Sequence, residues 1–225
     1  MQRQIKLLFG LNAIIHIIAI IFEMEWLRFI TKPLLMILLA VYFHFSVNRN
    51  AFTQSIMLAI IFSFGGDVAL MFQGSTPIYF ILGLGSFLIA HLFYAYGMVK
   101  YSSFRQGILI KKWWWSLPFL IYGAGLVYFL WSDLGDMTIP VVVYSIAIMI
   151  MGLSALNMTG RVSKSVALYI LLGAILFILS DSVIALNKFK SDDLHIPMPS
   201  LIIMVTYILG QFLIVEGVVK NEKEH

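Results

Sequence analysis

The sequence predicts an all-α fold, a polytopic membrane helical bundle of eight transmembrane helices. Three observations predict it. Of 225 residues, 61% are hydrophobic and only 12% charged, where soluble domains run at about 45–50% and about 25%. Mean hydropathy is +0.95, which leaves no room for a separate soluble domain. The apolar residues also gather into runs near the roughly 20 residues that a spanning helix needs. The chain is therefore read as a single integral membrane domain over residues 1–225.

The first run, Ile5–Phe22, follows Arg3 and Lys6 as a signal peptide would. Glu23-Met24-Glu25-Trp26 stands where a small-residue cleavage site belongs, so it is read as a retained helix. The second, Pro33–Val47, is short and opens on a proline, whose missing N–H costs nothing at a helix start. The third and fourth are Phe52–Phe72 and Ile78–Val99. The fifth, Trp113–Trp131, opens on Trp113-Trp114-Trp115 behind Lys111-Lys112, an interfacial aromatic belt. The sixth, Ile139–Met158, has Pro140 at its start. The seventh is Val166–Leu186, and the eighth, Pro199–Val218, begins on a proline. Short connections favour antiparallel neighbours.

The 15 Lys and Arg residues divide unevenly between the two sides. Arg3, Lys6, Arg49, Lys100, Arg105, Lys111, Lys112, Arg161, Lys164, Lys220 and Lys223 share the side of the N-terminus. Arg28, Lys32, Lys188 and Lys190 stand on the other. The positive-inside rule then puts both termini in the cytoplasm, and a bacterial inner membrane is the expected location. A net charge of +4 confined to loops is no nucleic-acid signal. With 0 cysteines there are no disulfides, thiolate metal sites or cysteine nucleophiles.

Two acids stand out against this background. Asp67 lies in Phe64-Gly65-Gly66-Asp67-Val68-Ala69-Leu70-Met71, and Asp181 in Leu179-Ser180-Asp181-Ser182-Val183-Ile184-Ala185-Leu186. An Asp at the centre of a membrane helix costs about 2.5–3.5 kcal/mol on insertion scales, so such an acid is read first as functional. The bland alternative is an interhelical hydrogen-bonding acid. Both lie in runs of the same direction, each five residues short of its end. At about 1.5 Å per residue both sit roughly 7–8 Å below the surface opposite the termini. Their equivalent places suggest two four-helix halves.

The other polar residues leave alternatives open. His91 and Tyr94 share a face at i, i+3, and Tyr207 and Gln211 at i, i+4; interhelical hydrogen bonding and chemistry explain both pairs. Tyr144 is placed to donate to a substrate oxygen or to anchor at the interface. Lys32 reads as a snorkelling lysine or as a cation facing a phosphate or an acid. Asn12 and His16 share a face that reads as packing. Asp192-Asp193-x-His195 has a faint metal look but reads as a solvated turn. Gly65-Gly66 and Gly83-x-Gly85 permit close helix approach. Of the five histidines, His195 is in that loop and His225 is terminal. A three-histidine zinc hydrolase is disfavoured, and no Gly-x-Ser-x-Gly elbow occurs. No metal and no cofactor are expected. What remains for hydrolysis is two acids.

These residues resemble the YhhN family, the membrane lysoplasmalogenases. The resemblance runs from about Thr31 to Gly217. It comprises Thr31-Lys32-Pro33-Leu34, then Gly66-Asp67-Val68-Ala69-Leu70-Met71, then Gly83 to Tyr94 with His91. Tyr144, Gly173 to Ser182 with Asp181, and Tyr207-x-x-x-Gln211 complete it. The resemblance implies eight spans and hydrolysis of the vinyl ether of lysoplasmalogens to a fatty aldehyde and glycerophospho-ethanolamine or -choline. It implies Asp67 and Asp181 as the catalytic pair. By the same warrant Lys32, His91, Tyr94, Tyr144, Tyr207 and Gln211 line the substrate site, and the partners are a lysophospholipid and the bilayer, with no nucleic acid.

The chemistry suits two acids. A vinyl ether is cleaved by protonating its outer carbon, which leaves an oxocarbenium ion that water captures. One acid must hold a proton while the other is ionised, a split that two neighbouring carboxyls adopt readily. Glycosidases divide the work the same way on a similar cation. Two alternatives stay open: an Asp-dependent lysolipid or amide hydrolase of other specificity, and a small proton-coupled transporter or lipid-binding membrane protein.

Overall fold

A computed structural model describes residues 1–191 and 193–224; Asp192 and His225, both noted above, lie outside them. The described chain is all-α. The helices are α1 (Gln2–Ile21), α2 (Glu25–His44), α3 (Ala51–Met71), α4 (Pro77–Lys100), a short α5 (Ile108–Lys111), α6 (Leu117–Leu130), α7 (Thr138–Leu156), α8 (Lys164–Phe189) and α9 (Pro199–Glu224). Among the described residues eight helical segments are long and apolar enough to cross a membrane, one for each expected run.

The largest departure is α2. It starts at Glu25, well before the expected Pro33, and carries Pro33 inside it. A proline there forfeits one backbone hydrogen bond and bends the helix, and membrane helices tolerate this because neighbouring groups take up the freed carbonyl. The consequence is that Arg28 and Lys32 are helical residues, not loop residues. At the other ends, α8 passes the expected Leu186 to reach Phe189, and α9 passes Val218 to reach Glu224. Asp181 is therefore further from its helix end than Asp67 is from its own. The Trp113–Ser116 segment is a 3-10 turn leading into α6.

The most extensive helix pairings are α8 with α9 and α3 with α4. Small residues explain both. A Cβ on Gly173 would lie 2.7 Å from the Gly210 carbonyl oxygen, so the α8 and α9 backbones touch. A Cβ on Gly66 would overlap the Phe87 ring, so α3 can seat that ring of α4 only with glycine there. Gly85, by contrast, faces open space. The buried apolar core runs between these pairs, with Phe43, Ile56, Ile60, Met98, Phe177 and Val218 inside it.

Polar clasps fix the remaining helices. The Thr31 hydroxyl donates to the Leu27 carbonyl at 2.7 Å. His16 Nδ1 lies 2.7 Å from the same oxygen. The Thr31 proton is already committed, so Nδ1 carries its own hydrogen and donates. Asn12 donates to the Thr31 carbonyl at 2.9 Å. These bonds tie α1 to α2 immediately before Lys32. Near the termini, Lys6 Nζ lies 2.8 Å from Glu216 Oε2, and the Tyr42 hydroxyl also donates to Glu216. Arg161 caps the end of α4 by donating to the Met98, Val99 and Ser102 carbonyls, satisfying carbonyls the helix leaves orphaned.

Candidate active site

Asp67 and Asp181 line one cavity of about 620 Å³ between α2, α3, α4, α8 and α9. Each carboxyl reaches it because a helix with small neighbours lets it. Gly66 beside Asp67 admits α4, and Ser180 beside Asp181 turns its hydroxyl to the Ile203 carbonyl of α9 at 3.1 Å.

The two surroundings are built differently. Asp67 is only 2% exposed. Tyr207 donates to its Oδ2 at 2.7 Å, and Lys32 Nζ stands 3.8 Å from Oδ1. These two contacts give it a hydrogen and a positive charge. Tyr207 is in turn positioned by Gln211, whose amide lies 3.4 Å from its oxygen. That amide also donates to Ser63 at 2.8 Å, and Tyr94 donates to the Gln211 carbonyl. Tyr94 and Gln211 are wholly buried and stand behind Tyr207; neither lines the cavity.

Asp181 faces a triangle. His91 Nε2 lies 3.1 Å from its Oδ2 and 2.9 Å from the Tyr144 hydroxyl. That hydroxyl also reaches Oδ2. The other ring nitrogen of His91, Nδ1, faces Met151 Sδ at 3.3 Å. A proton on Nε2 or on Asp181 Oδ2 bridges these two groups, and the Tyr144 hydroxyl donates to the same carboxyl oxygen. The triangle thus joins Asp181 to a group that can exchange a proton with it.

A second, apolar pocket of about 50 Å³ adjoins the cavity at Asp181, lined by Tyr144, Leu84, Val141, Ala185 and Phe189. It lies between α3, α4, α7 and α8.

Of the residues read from the sequence, Lys32, Asp67, Asp181 and Tyr207 line the main cavity and Tyr144 the apolar pocket. His91 is fully buried and reaches the site only through Asp181 and Tyr144. The sequence reading missed Phe177, whose ring packs edge-on against His91, Tyr94 and Tyr207 and joins the two carboxyl surroundings. It also missed Met151, which lies against His91 Nδ1, and Glu25, Arg28 and Lys188 on the cavity wall. Among the described residues no three histidine or acidic side chains gather to hold a metal. Asp193 and His195 lie in the loop after α8.

The profile of the YhhN family matches residues 27–218. The chain is 29% identical to human lysoplasmalogenase TMEM86B over 192 residues, 85% of this chain and 75% of that protein. It is 33% identical to bovine lysoplasmalogenase TMEM86A over 175 residues, 75% of this chain and 66% of that protein. It is 30% identical to a Mycobacterium tuberculosis lysoplasmalogenase over 143 residues, 61% of this chain and half of that protein. No solved structure matches.

Proposed function

The chain belongs to the YhhN family, and from that premise we propose that it is a membrane hydrolase of lysoplasmalogen-type lysophospholipids. It cleaves their vinyl ether to a fatty aldehyde and glycerophospho-ethanolamine or -choline. The observation that carries this reading is the unlike surroundings of two carboxyls on one cavity. In this reading Asp67, beside Lys32 and the Tyr207 donor, serves as the base, and Asp181, in the triangle with His91 and Tyr144, serves as the acid.

The reaction then proceeds in three balanced steps. Asp181 gives its proton to the outer vinyl carbon, and an oxocarbenium ion forms at the carbon bearing oxygen, facing the Asp67 carboxylate. Water adds to that carbon and Asp67 takes the released proton, giving a hemiacetal. The hemiacetal hydroxyl returns a proton to Asp181 while Asp67 protonates the departing glycerol oxygen. Aldehyde and alcohol leave, and both acids regain their starting states. Lys32 and Tyr207 keep Asp67 ionised and oriented; Tyr94 and Gln211 position Tyr207. The alkenyl tail runs through the apolar pocket toward lipid between α4, α7 and α8.

The proposal treats the chain as one integral membrane domain in a bacterial inner membrane, with both termini cytoplasmic and the cavity opening on the far surface. The charge asymmetry supports that orientation. The test is a lipid panel with purified protein in detergent. Aldehyde should form from the vinyl-ether lysolipid, while the saturated alkyl-ether analogue should inhibit competitively and never turn over. Cleavage of acyl lysolipids with the vinyl ether left intact would overturn the reading.

A further inference from the structure

The side of the membrane on which the cavity opens is poor in cations. It holds Arg28, Lys32, Lys188 and Lys190. Two of them are already paired: Lys32 with Asp67, and Lys190 with Asp133 at 2.6 Å and Asp193 at 3.2 Å. Among the described residues Arg28 and Lys188 have no carboxylate at ion-pair distance, and both line the main cavity. Lys188 is held to the wall by the Phe80 ring, 5.1 Å from its ammonium. Glu25 lines the same cavity, and among the described residues no cation stands at ion-pair distance from it.

The register of α2 explains the grouping. Glu25, Arg28 and Lys32 follow at i, i+3 and i+7, so they lie on one face of the helix. That face climbs from the Asp67 carboxyl toward the cavity mouth. Lys188 joins from α8. Among the described residues the mouth thus presents two unpaired cations and one unpaired carboxylate, above a floor where Lys32 pairs with Asp67. A guanidinium fork and a lysine ammonium together suit a phosphate oxyanion. Their charge less that of Glu25 leaves one positive charge, which matches a phosphodiester. The single carboxylate then meets a cationic amine attached to that phosphodiester.

We infer that Glu25, Arg28 and Lys188 form a headgroup site, in which Arg28 and Lys188 hold the phosphodiester of a lysolipid and Glu25 holds its amine. This rests on the lysophospholipid reading above and assigns its headgroup end. A phosphomonoester lipid, carrying more negative charge and no amine, fits the mouth worse because Glu25 repels it.

The test measures binding, not turnover. Purified full-length protein in non-ionic detergent is titrated with a saturated alkyl-ether lysophosphocholine and with the matching alkylglycerol, which lacks the headgroup. The wild type should prefer the phospholipid. Arg28→Gln and Lys188→Gln should each shrink that preference about tenfold, the size of one hydrogen bond to a charged group, and Arg28→Lys should restore part of it. Glu25→Gln should erase the preference for phosphocholine over a phosphoglycerol headgroup. A preference unchanged in both cation variants would overturn the site. So would displacement of the lipid by millimolar inorganic phosphate, which would mark a site for the free anion. The ligand is not hydrolysed, so the two proposals fail separately. Loss of preference in a protein that cleaves no vinyl ether would remove the activity and leave the site. Vinyl-ether turnover with preference intact in the variants would remove the site alone.

Discussion

Asp67 and Asp181 are the same residue type on the same cavity, yet their neighbours ask opposite things of them. Around Asp67 stand an ammonium and a phenol, both donors. Around Asp181 stand a phenol, which donates to it, and an imidazole, which can either give or take a proton. An ammonium and a donor favour a carboxylate, whereas an imidazole can exchange a proton with the carboxyl it faces. The comparison teaches that two like carboxyls on one cavity are set apart by what each of them touches.

The largest expected effects come from the carboxyls themselves. Asp67→Asn and Asp181→Asn should each fold and each lose about 10²–10⁴-fold in kcat, the usual range for a general acid or base. The comparison sharpens if a cationic analogue of the oxocarbenium ion is bound to both. Asp67→Asn should bind it far more weakly than wild type, and Asp181→Asn should bind it nearly normally. Equal loss in the two variants would erase the distinction drawn between them.

Next come the groups touching each carboxyl. Tyr207→Phe and Tyr144→Phe each remove one hydrogen bond to a carboxyl, worth about 1.5–3 kcal/mol when the acceptor is charged. Tyr207→Phe should carry that full loss, roughly ten- to a hundredfold in kcat. Tyr144→Phe should lose less, since its acceptor is the protonated partner. The reverse order, read from steady-state rates, would exchange the acid and the anion. Smaller still is Ser63→Ala. It removes a neutral bond two contacts away from Asp67, through Gln211 and Tyr207, and should cost about 0.5–1.5 kcal/mol of stability with little change in rate. A thermal unfolding series set beside the rates would check this. Topology needs no activity at all: Arg105→Cys and Ser75→Cys should label from opposite sides of the membrane. Labelling from one side would remove the orientation and the surface on which the cavity opens.

Much of this was legible in the sequence. The spans announce themselves through hydropathy, and an Asp inside such a run is rare enough to be noticed. Tyr207 and Gln211 also declare a shared face. What periodicity could not give was which polar residue touches substrate and which stands behind it. Tyr94 and Gln211 carry the same spacing signal as a wall residue would, yet they are buried behind Tyr207. Met151 and Phe177 are ordinary apolar residues with no signal of their own. The start of α2 misled for a physical reason. Pro33 reads as a helix start, and in that frame Arg28 and Lys32 are loop charges that orient the chain. Once the helix begins at Glu25, the same residues share one face with Glu25 on the cavity wall.

The central claim is that a proton held at Asp181 is delivered to carbon. Reaction of the vinyl-ether lysolipid in D₂O, with the aldehyde trapped promptly and read by mass spectrometry, tests it most directly. The account predicts one deuterium on the carbon next to the carbonyl and a marked slowing of the rate. Aldehyde carrying no deuterium at that carbon would contradict it.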